Sequence, residues 1–562
     1  MGGRGAPGVR LPQRRDRLPD LAGGRPRVRR ARDRAEERLP GGAGVRVTGS
    51  WPDGLESAFR AYEDALMRDD TAELDALFEP GPDTLRGDGS GLLRGHDRIS
   101  AYRSARGGVA RRTLVGLDVQ ELAPGTVLVV GESRFAGGGR GLQTQLWRRT
   151  TGAWRIRTAH VTGRAPALDR TVWRVVGDPL VRAPGVSTGG PLAGLRVAVK
   201  DLVAVRGHVV GAGNPTWESA APVETEHAPA VGMLLAAGAE LTGIARTDEF
   251  AYALAGRNAH HGAPPNGADP ERISGGSTSG PASAVALGQA DVGLGTDTAG
   301  SIRVPASYQG LWGLRTTHGH VSRDGVLPLA QSFDTVGWLA RRPETLRAVA
   351  TVALGPGAAG LGSPLLVCDA LLTAADPATR RVFDDWLDRT GRTVETVELP
   401  ALDDLAETLR IVQGAEAHRN HGAWVAAHPG ALGADVAERF AVAARITAED
   451  EAAARDELGR LRAAVRTVVA GRAMALPTVP GPAPLRTADG PDLLATRRST
   501  LRMTAVAGIG GLPAVSAPLL AVDGAPVGVS LVGPVGSDLA LVDLAAELAP
   551  ANESVTDVPI GS

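Results

Sequence analysis

Lysine is almost absent from this sequence of 562 residues, since Lys200 is the only lysine among 61 lysine and arginine residues. The abundance of Ala, Gly, Arg and Pro is typical of a coding bias that replaces lysine by arginine wherever a position needs only positive charge. A position that keeps lysine is therefore expected to need something that arginine cannot provide. A buried lysine can lose its proton and act as a base, whereas arginine stays protonated in proteins.

Cysteine and long hydrophobic runs are also scarce. The single cysteine, Cys368, excludes an internal disulfide framework and a cysteine-based metal cluster. No apolar run reaches the roughly 18 residues of a transmembrane helix. The first residues, MGGRGAPGVRLPQRRDR, lack the apolar segment of a secretory signal. The sequence therefore predicts a cytoplasmic protein with no membrane partner and no bound metal.

Charge of one sign is not in excess over the whole chain. The formal net charge is −1, which indicates no nucleic-acid partner. Residues 1–50 differ, because they carry 13 Arg against 5 acidic residues and are rich in Gly and Pro. Their lack of apolar periodicity predicts a disordered extension. Two alternatives are a mis-assigned start codon and an arginine-rich nucleic-acid arm, although the segment has no interleaved aromatic residues.

Two folded regions follow this extension. Residues 51–176 begin with apolar residues at helical spacing, broken at 68–70, and continue with four strand-like runs separated by Gly-rich turns. Helices followed by antiparallel strands favour a small α+β cone. Residues 177–190 predict a linker, residues 191–550 one large α/β domain, and residues 551–562 a tail.

The surroundings of Lys200 predict that its side chain is buried. In LRVAVKDLV, residues 195–203, apolar residues alternate up to Lys200, which is typical of a buried strand that ends at Lys200-Asp201. Two alternatives remain from this stretch alone. The lysine is a chance survivor, or it forms a surface ion pair with Asp201.

Two glycine-rich segments rich in Ser and Thr lie downstream, ISGGSTSGPASAVALGQA (273–290) and DVGLGTDTAGSIRVPASYQGLWGLRTTHG (291–319). Neither contains the Gly-Lys-Ser/Thr of a phosphate loop, a dinucleotide-binding fingerprint or a Gly-x-Ser-x-Gly nucleophile elbow. No cofactor is therefore predicted. A serine nucleophile needs a base, and the nearby histidines follow no familiar triad pattern. A neutral Lys200, acting through a second serine, could serve as that base.

These segments resemble the amidase signature family. The matching pattern is a strand ending in Val-Lys-Asp, then Gly-Gly-Ser-Thr-Ser-Gly, then Gly-Thr-Asp-Thr-Ala-Gly-Ser-Ile-Arg-Val-Pro. Further matches in LPLAQSFDTVGWLAR and ALPTVPGPAP extend the resemblance over roughly 190–548. It implies an α/β amidase signature fold, with a mixed sheet covered by helices. It also implies that Ser301 is the nucleophile, that Ser277 is a bridging serine after a cis bond from Gly276, and that Lys200 is the base.

The resemblance also assigns the loop that precedes the nucleophile. Asp297 and Arg303 would brace this loop, and Ala299 stands where glycine is commoner in the family, which is tolerated if its φ stays negative. The oxyanion hole would be formed by backbone N–H groups of Thr298, Ala299, Gly300 and Ser301.

Residues 54–163 resemble an NTF2-like domain of the AtzH-like type. The resemblance rests on AYEDAL, LDALF, TLRGD, GHDRISAYRSARGG and LWRRTTGAWRIRTAHVT. It implies a small pocket lined by Tyr62 and Arg86. The alternative is structural, with a core tyrosine and a salt bridge.

The resemblance implies a cofactor-independent amidase that cleaves a small carboxamide to a carboxylate and ammonia. GNPTW, TDEFAYALAGRNAHHGAPPN and AQSFDTVGW are similar to indole-3-acetamide hydrolases, whereas the front domain suggests ureido substrates such as carboxybiuret or allophanate. Further alternatives are the glutaminase subunit of a tRNA-dependent amidotransferase and a catalytically silent scaffold. A homodimer is left open.

Overall fold

A computed structural model gives the fold. It describes residues 45–88, 91–106, 112–135, 140–162, 169–182, 189–357, 360–488 and 490–550. The predicted tail at 551–562 and most of the predicted extension at 1–50 lie outside these ranges. Within them, the strands form two separate sheets, one of seven and one of eleven strands.

The first sheet belongs to the front domain. Its strands run in the order β1-β4-β5-β6-β7-β2-β3, and Phe59, Tyr62 and Trp147 are buried in its core. The predicted helices and four antiparallel strands are confirmed. The elements are β1 (Arg46–Thr48), α1 (Leu55–Arg68), α2 (Thr71–Ala76), β2 (Leu85–Asp88), β3 (Gly91–Arg94), α3 (His96–Arg106), β4 (Arg112–Ala123), β5 (Thr126–Phe135), β6 (Arg140–Thr150) and β7 (Ala153–Thr162).

One part of the predicted extension is folded. Arg46–Thr48 forms β1, which pairs in parallel with β4. The prediction of disorder up to residue 50 is therefore wrong for this stretch. Val45 and Val47 pack against the core of the front domain. The alternation of apolar and polar residues here covers only a few positions, so it does not stand out from the Gly/Pro/Arg-rich stretch before it.

The second sheet is mixed and lies in the large domain. Its order is β15-β14-β16-β18-β17-β12-β13-β11-β9-β10-β8. The first elements are β8 (Trp173–Val181), β9 (Arg196–Lys200), α4 (Pro215–Ala220), α5 (Pro229–Ala236), β10 (Glu240–Ala245), a 3-10 turn (Glu249–Ala251), α6 (Ser279–Ala286), β11 (Val292–Asp297), α7 (Arg303–Tyr308), β12 (Trp312–Arg315) and β13 (Thr335–Ala340).

The rest of the large domain adds more helices than strands. The remaining elements are α8 (Pro343–Leu354), β14 (Gly362–Val367), α9 (Asp369–Thr373), α10 (Pro377–Arg389), β15 (Val394–Thr396), α11 (Leu402–Ala427), α12 (Ala434–Ala443), α13 (Ala448–Val468), β16 (Arg472–Pro477), α14 (Gly490–Gly510), β17 (Ala514–Val522), β18 (Ala525–Val532) and α15 (Asp538–Glu547). None of the described helices is long and apolar enough to span a membrane.

The predicted boundary between the two domains needs correction. Strand β8 spans the end of the predicted front domain at 176 and the start of the predicted linker at 177. It pairs antiparallel with β10 and closes one edge of the large sheet. Asp178-Pro179 within it is a cis X-Pro bond, and this proline made the segment resemble a linker, since proline inside a strand occurs mainly at sheet edges.

Candidate active site

Lys200 lies at the carboxyl end of β9, the third strand from the β8 edge of the large sheet. This strand runs between β10 and β11 and is parallel to both, so the loops that follow these strands gather at one edge. The side chain is fully buried. Its Nζ donates to Ser277 Oγ (2.9 Å), Thr278 Oγ1 (3.0 Å) and Thr296 Oγ1 (2.9 Å). The predicted buried strand ending at this lysine is confirmed.

Burial has a direct electrostatic consequence for this amine. It lowers the pKa of Lys200 to about 7, against the opposing effect of nearby carboxylates, chiefly Asp248. The three groups that hold the amine are neutral hydroxyls, which accept its hydrogen bonds but add no negative charge that would keep it protonated. Asp201 points elsewhere, because it forms an ion pair with Arg174 (2.9 Å). The surface pair of Lys200 with Asp201 is therefore wrong.

Ser277 is held by its backbone beside the amine. The Gly276-Ser277 peptide bond is cis. The Ser277 carbonyl accepts hydrogen bonds from Thr247 Oγ1 (2.8 Å) and from the N–H of Asp248 (3.2 Å). A Cβ at Gly276 would lie 2.3 Å from a carboxylate oxygen of Asp248, so the loop needs glycine at this position.

The loop before Ser301 is organised around the carboxylate of Asp297. Arg303 approaches it with Nη2 (2.9 Å) and Nε (3.0 Å), and Arg315 with Nη1 (3.0 Å). All three side chains are buried, and the two guanidinium groups hold the pKa of Asp297 well below its usual range despite burial. Sequence reasoning found Asp297 and Arg303 but missed Arg315, because it lies on β12, beyond the recognised motif.

The backbone of this loop is fixed from several sides. Thr298 Oγ1 donates to Asp334 (2.6 Å), and Thr504 Oγ1 on α14 donates to the Ala299 carbonyl (2.8 Å). The N–H of Thr278 donates to the Ser301 carbonyl (3.2 Å), which joins the two serine loops. Ala299 does not have a positive φ, so its methyl group is accommodated without strain.

The predicted oxyanion hole needs one correction. Gly300 has φ 123°, and its N–H donates to Asp297 Oδ1 (2.9 Å). This donor is therefore occupied and does not face a substrate oxygen. The N–H groups of Thr298, Ala299 and Ser301 have no hydrogen-bond acceptor among the residues described, and these three remain candidates for that role.

The two front-domain candidates lie in structural contacts. Tyr62 is buried and packs edge-on against Trp147 at 6.4 Å between ring centroids. Arg86 forms an ion pair with Asp88, and its guanidinium lies 4.7 Å from the centroid of the Tyr102 ring. These contacts match the structural interpretation of both residues. Arg103, which sequence reasoning missed, lies in the same region, where it pairs with Asp75 (3.2 Å) and its guanidinium lies 3.9 Å from the centroid of the Phe78 ring.

The histidines and acidic groups around the site have other partners. His260 contacts the buried carboxylate of Glu249 (2.8 Å), and His318 contacts the Gln331 carbonyl (2.9 Å). Within the described ranges, no three His, Cys, Asp or Glu side chains are grouped so as to hold a metal ion.

Comparison with known proteins adds to this geometry. A family model described as Amidase matches residues 181–377, and one described as AtzH-like matches residues 53–165. The chain is 36% identical to Amidase 1 of Arabidopsis thaliana over 395 residues, which cover 64% of this chain and 93% of that protein. The chain belongs to the amidase signature family. Its large domain is an amidase, a hydrolase that acts on amide C–N bonds.

Solved structures agree with this assignment. A crystal structure of an amidase superposes with a TM-score of 0.60 at 30% identity, covering 68% of this chain and 92% of the other. A second structure is described as a vestigial protein complex that reveals the evolutionary origins of an s-triazine catabolic enzyme. It superposes with a TM-score of 0.60 at 29% identity and covers 64% of this chain and 84% of its own. The predicted family, amidase signature fold and front-domain type are confirmed.

Proposed function

We propose that this amidase hydrolyses a small carboxamide to a carboxylate and ammonia through an acyl-enzyme on Ser301, with Ser277 and Lys200 as a proton relay. One observation carries the proposal. The only lysine of the chain is fully buried, its pKa is lowered to about 7, and it donates to Ser277 Oγ (2.9 Å). A neutral amine at this place can accept a proton at physiological pH, as a general base must.

In the first half of the proposed reaction, Ser301 Oγ attacks the amide carbon. Its proton passes to Ser277 Oγ while the Ser277 proton passes to Lys200 Nζ. The resulting oxyanion is stabilised by backbone N–H groups of Thr298, Ala299 and Ser301. The C–N bond then breaks, and the same relay returns a proton to the leaving nitrogen, which departs as ammonia.

In the second half, water replaces the leaving group. It loses a proton through the relay and attacks the acyl carbon. The ester bond to Ser301 then breaks, and the relay returns that proton to Ser301 Oγ as the acid is released. Asp297 and its two arginines act as positioning residues, because they contact the loop and not the reacting atoms. No step needs a cofactor, since every proton is exchanged among the substrate, water and these side chains.

A ureido substrate such as carboxybiuret or allophanate is the second candidate. The AtzH-like match favours it, as does the similarity to the vestigial complex that is described as revealing the origins of an s-triazine catabolic enzyme. That structure is described as a protein complex, so the proposal includes a partner subunit or a homodimer. We also propose a cytoplasmic location. A glutaminase subunit is a third candidate, because A subunits of glutamyl-tRNA(Gln) amidotransferases are among the relatives of this chain. The buried Lys200–Ser277 pair argues against a catalytically silent scaffold.

The test is a screen of purified protein with ammonia detection. It includes indole-3-acetamide and simple aliphatic amides, allophanate and biuret, and glutamine. We expect ammonia from at least one carboxamide or ureide, and none from the Ser301→Ala variant. Hydrolysis that persists in Ser301→Ala would contradict the proposed nucleophile, and hydrolysis of glutamine alone would favour the glutaminase.

A further inference from the structure

Two packed aromatic rings, Tyr252 and Phe440, form an aromatic wall near the cis serine, Ser277. The loop that follows β10 wraps around Ser277, because the N–H of Asp248 donates to the Ser277 carbonyl and the N–H of Gly276 donates to the Leu254 carbonyl (2.8 Å). Tyr252 lies in this loop and is buried. Its ring packs against Phe440 of α12 at 5.2 Å between centroids. This wall therefore lies on the Ser277 side of the site.

Helix α14 approaches the same site from the nucleophile side. Its Thr504 holds the carbonyl of Ala299 in the loop before Ser301. Arg497 precedes Thr504 by seven residues, which is two helical turns, so both side chains leave the same face of the helix about 10 Å apart along its axis. The positive charge of Arg497 acts on the phenol of Tyr252. Arg497 therefore shares a face of α14 with Thr504 and is close enough to Tyr252 for its charge to act on the phenol.

Among the described residues, no side chain pairs directly with Arg497. Its Nε is buried without a hydrogen-bond partner, and across the described parts of the chain no hydrogen bond or ion pair of its guanidinium is found. Burial, together with the positive charge of Arg439, lowers the pKa of Arg497 to about 10, against the opposing effects of Tyr252 and Asp435. Arg439 itself is engaged, since its Nη1 donates to the Tyr252 carbonyl (2.9 Å) and to Asp435 (3.1 Å).

Arg497 is half-buried, and its Nε is removed from water without a partner, which is unfavourable for folding. Removing a charge from water is costly unless an opposite charge or strong acceptors replace the lost solvent. Arginine is also the side chain best suited to bind a planar carboxylate through two parallel hydrogen bonds. A ligand that brings a carboxylate to this point would supply the missing partner.

We propose that Arg497 binds a carboxylate of the substrate, and that the preferred substrates of this amidase are amides that carry a second, anionic carboxyl group. The inference rests on the proposed function, because it takes Ser301 as the position of the scissile carbonyl. Arg497 is a specificity-determining residue in this account. It holds the end of the substrate remote from the reacting bond.

The experiment compares matched substrates that differ in charge. Malonamate, succinamate and glutaramate carry the carboxylate on the acyl part, N-butyrylglycine carries it on the leaving amine, and butyramide is the neutral counterpart. kcat and KM are measured by product release for wild type, Arg497→Met, Arg497→Lys and Arg498→Met. Arg498 is the adjacent, exposed residue of α14, so its variant is the matched control.

We expect wild type to prefer one of the carboxylated amides over butyramide. Arg497→Met should raise KM for that substrate about 10- to 100-fold, the loss typical of a hydrogen bond between charged groups. It should change kcat/KM for butyramide less than about threefold. Arg497→Lys should restore part of the loss, and Arg498→Met should behave as wild type. The arm that shows the preference tells which side of the amide carries the carboxylate.

Two results would overturn the inference. One is a wild type that prefers butyramide, and the other is an Arg497→Met variant that affects charged and neutral amides equally. Labelling with a neutral fluorophosphonate, which reacts with serine nucleophiles, distinguishes failure of the Arg497 inference from failure of the proposed function. Labelling at Ser301 without a carboxylate preference removes only the role of Arg497. If Ser301 is not labelled, the proposed function fails and the inference fails with it.

Discussion

At the scale of single residues, the chemistry depends on the charge state of Lys200. Three neutral hydroxyls surround its amine, and burial is the main cause of its lowered pKa. A permanently protonated side chain at this position could only donate hydrogen bonds to these hydroxyls. It could not take a proton from Ser277. The one lysine of the chain therefore stands where arginine would retain charge but lose the base.

Replacing Lys200 by arginine tests this directly. We expect Lys200→Arg to lower kcat about 10²- to 10⁴-fold, the usual contribution of a general base, because the guanidinium stays protonated. The rate is measured with the best substrate from the ammonia screen. Arg196→Lys is the matched control, since Arg196 is an exposed residue of the same strand, and its rate should equal that of wild type. A Lys200→Arg variant with more than about a tenth of the wild-type rate would contradict the assigned role.

The pH dependence of the rate should report the same group. The pKa of Lys200 is lowered to about 7, so below this value the amine is protonated and inactive as a base. For a substrate that does not titrate, kcat/KM should rise about tenfold per pH unit up to pH about 7 and then level off, since this parameter reports the free enzyme. A flat profile between pH 6 and pH 8 would show that the base is another group.

At the scale of secondary structure elements, the oxyanion loop depends on contacts from elements far away in sequence. Arg315 on β12 donates to the carbonyls of Asp297 (2.6 Å) and Thr298 (3.2 Å) as well as to the Asp297 carboxylate. Thr504 on α14 holds the Ala299 carbonyl, and Asp334, which directly precedes β13, holds Thr298. The direction of the loop N–H groups is therefore set by three elements together.

Removing one of these contacts should slow the chemical step without preventing folding. Thr504→Val is nearly isosteric and deletes the hydroxyl that donates to the Ala299 carbonyl. We expect kcat to fall about tenfold with little change in KM, because misplaced donors weaken transition-state binding. The melting temperature should fall by only a few degrees, in line with about 1 kcal/mol for one hydrogen bond.

The control for this variant is Thr467→Val on α13. Thr467 Oγ1 makes an ordinary bond to the Ala463 carbonyl one turn earlier (3.0 Å) on an exposed helix face. The Thr467→Val variant should keep the wild-type kcat. If Thr504→Val also keeps the wild-type kcat, α14 does not position the oxyanion loop in the way argued above.

At the scale of the whole molecule, sequence alone predicted the two domains, the strand that ends at Lys200 and the two serine loops. These features depend on local patterns, such as alternation before Lys200 and glycine clusters around Ser277. Local patterns could not predict three other features: the role of Arg315, the occupied N–H of Gly300 and the place of β8 in the large sheet. Each depends on which distant segments meet in space, and neither alternation nor motif spacing specifies that.

Strand β8 makes a specific prediction about where the chain can be cut. Trp173 Nε1 donates to Gln289 (2.6 Å), and Arg174 pairs with Asp201 beside Lys200. We expect a truncated chain that starts at residue 169 to fold and to react with a fluorophosphonate. A chain that starts at residue 182 should melt at a clearly lower temperature, because a buried carboxylate loses its partner.

The two truncated chains also test whether the front domain contributes to catalysis. No hydrogen bond or ion pair between described residues joins residues 45–162 to the large domain. The probe should therefore label the chain from 169 at the full-length rate. A well-folded chain from 169 that does not react would show that the front domain completes the active site.

The most direct measurement for the central claim is the site at which a fluorophosphonate becomes attached. Wild type, Ser301→Ala, Ser277→Ala and Ser283→Ala are treated with the probe, and the modified peptide is identified by mass spectrometry. Ser283 is a buried serine of α6 whose hydroxyl has no partner among the described residues, which makes it the matched control. We predict an adduct on Ser301 in wild type and Ser283→Ala, slower labelling of Ser301 in Ser277→Ala, and none in Ser301→Ala. An adduct on Ser277, or labelling that survives Ser301→Ala, would contradict the account.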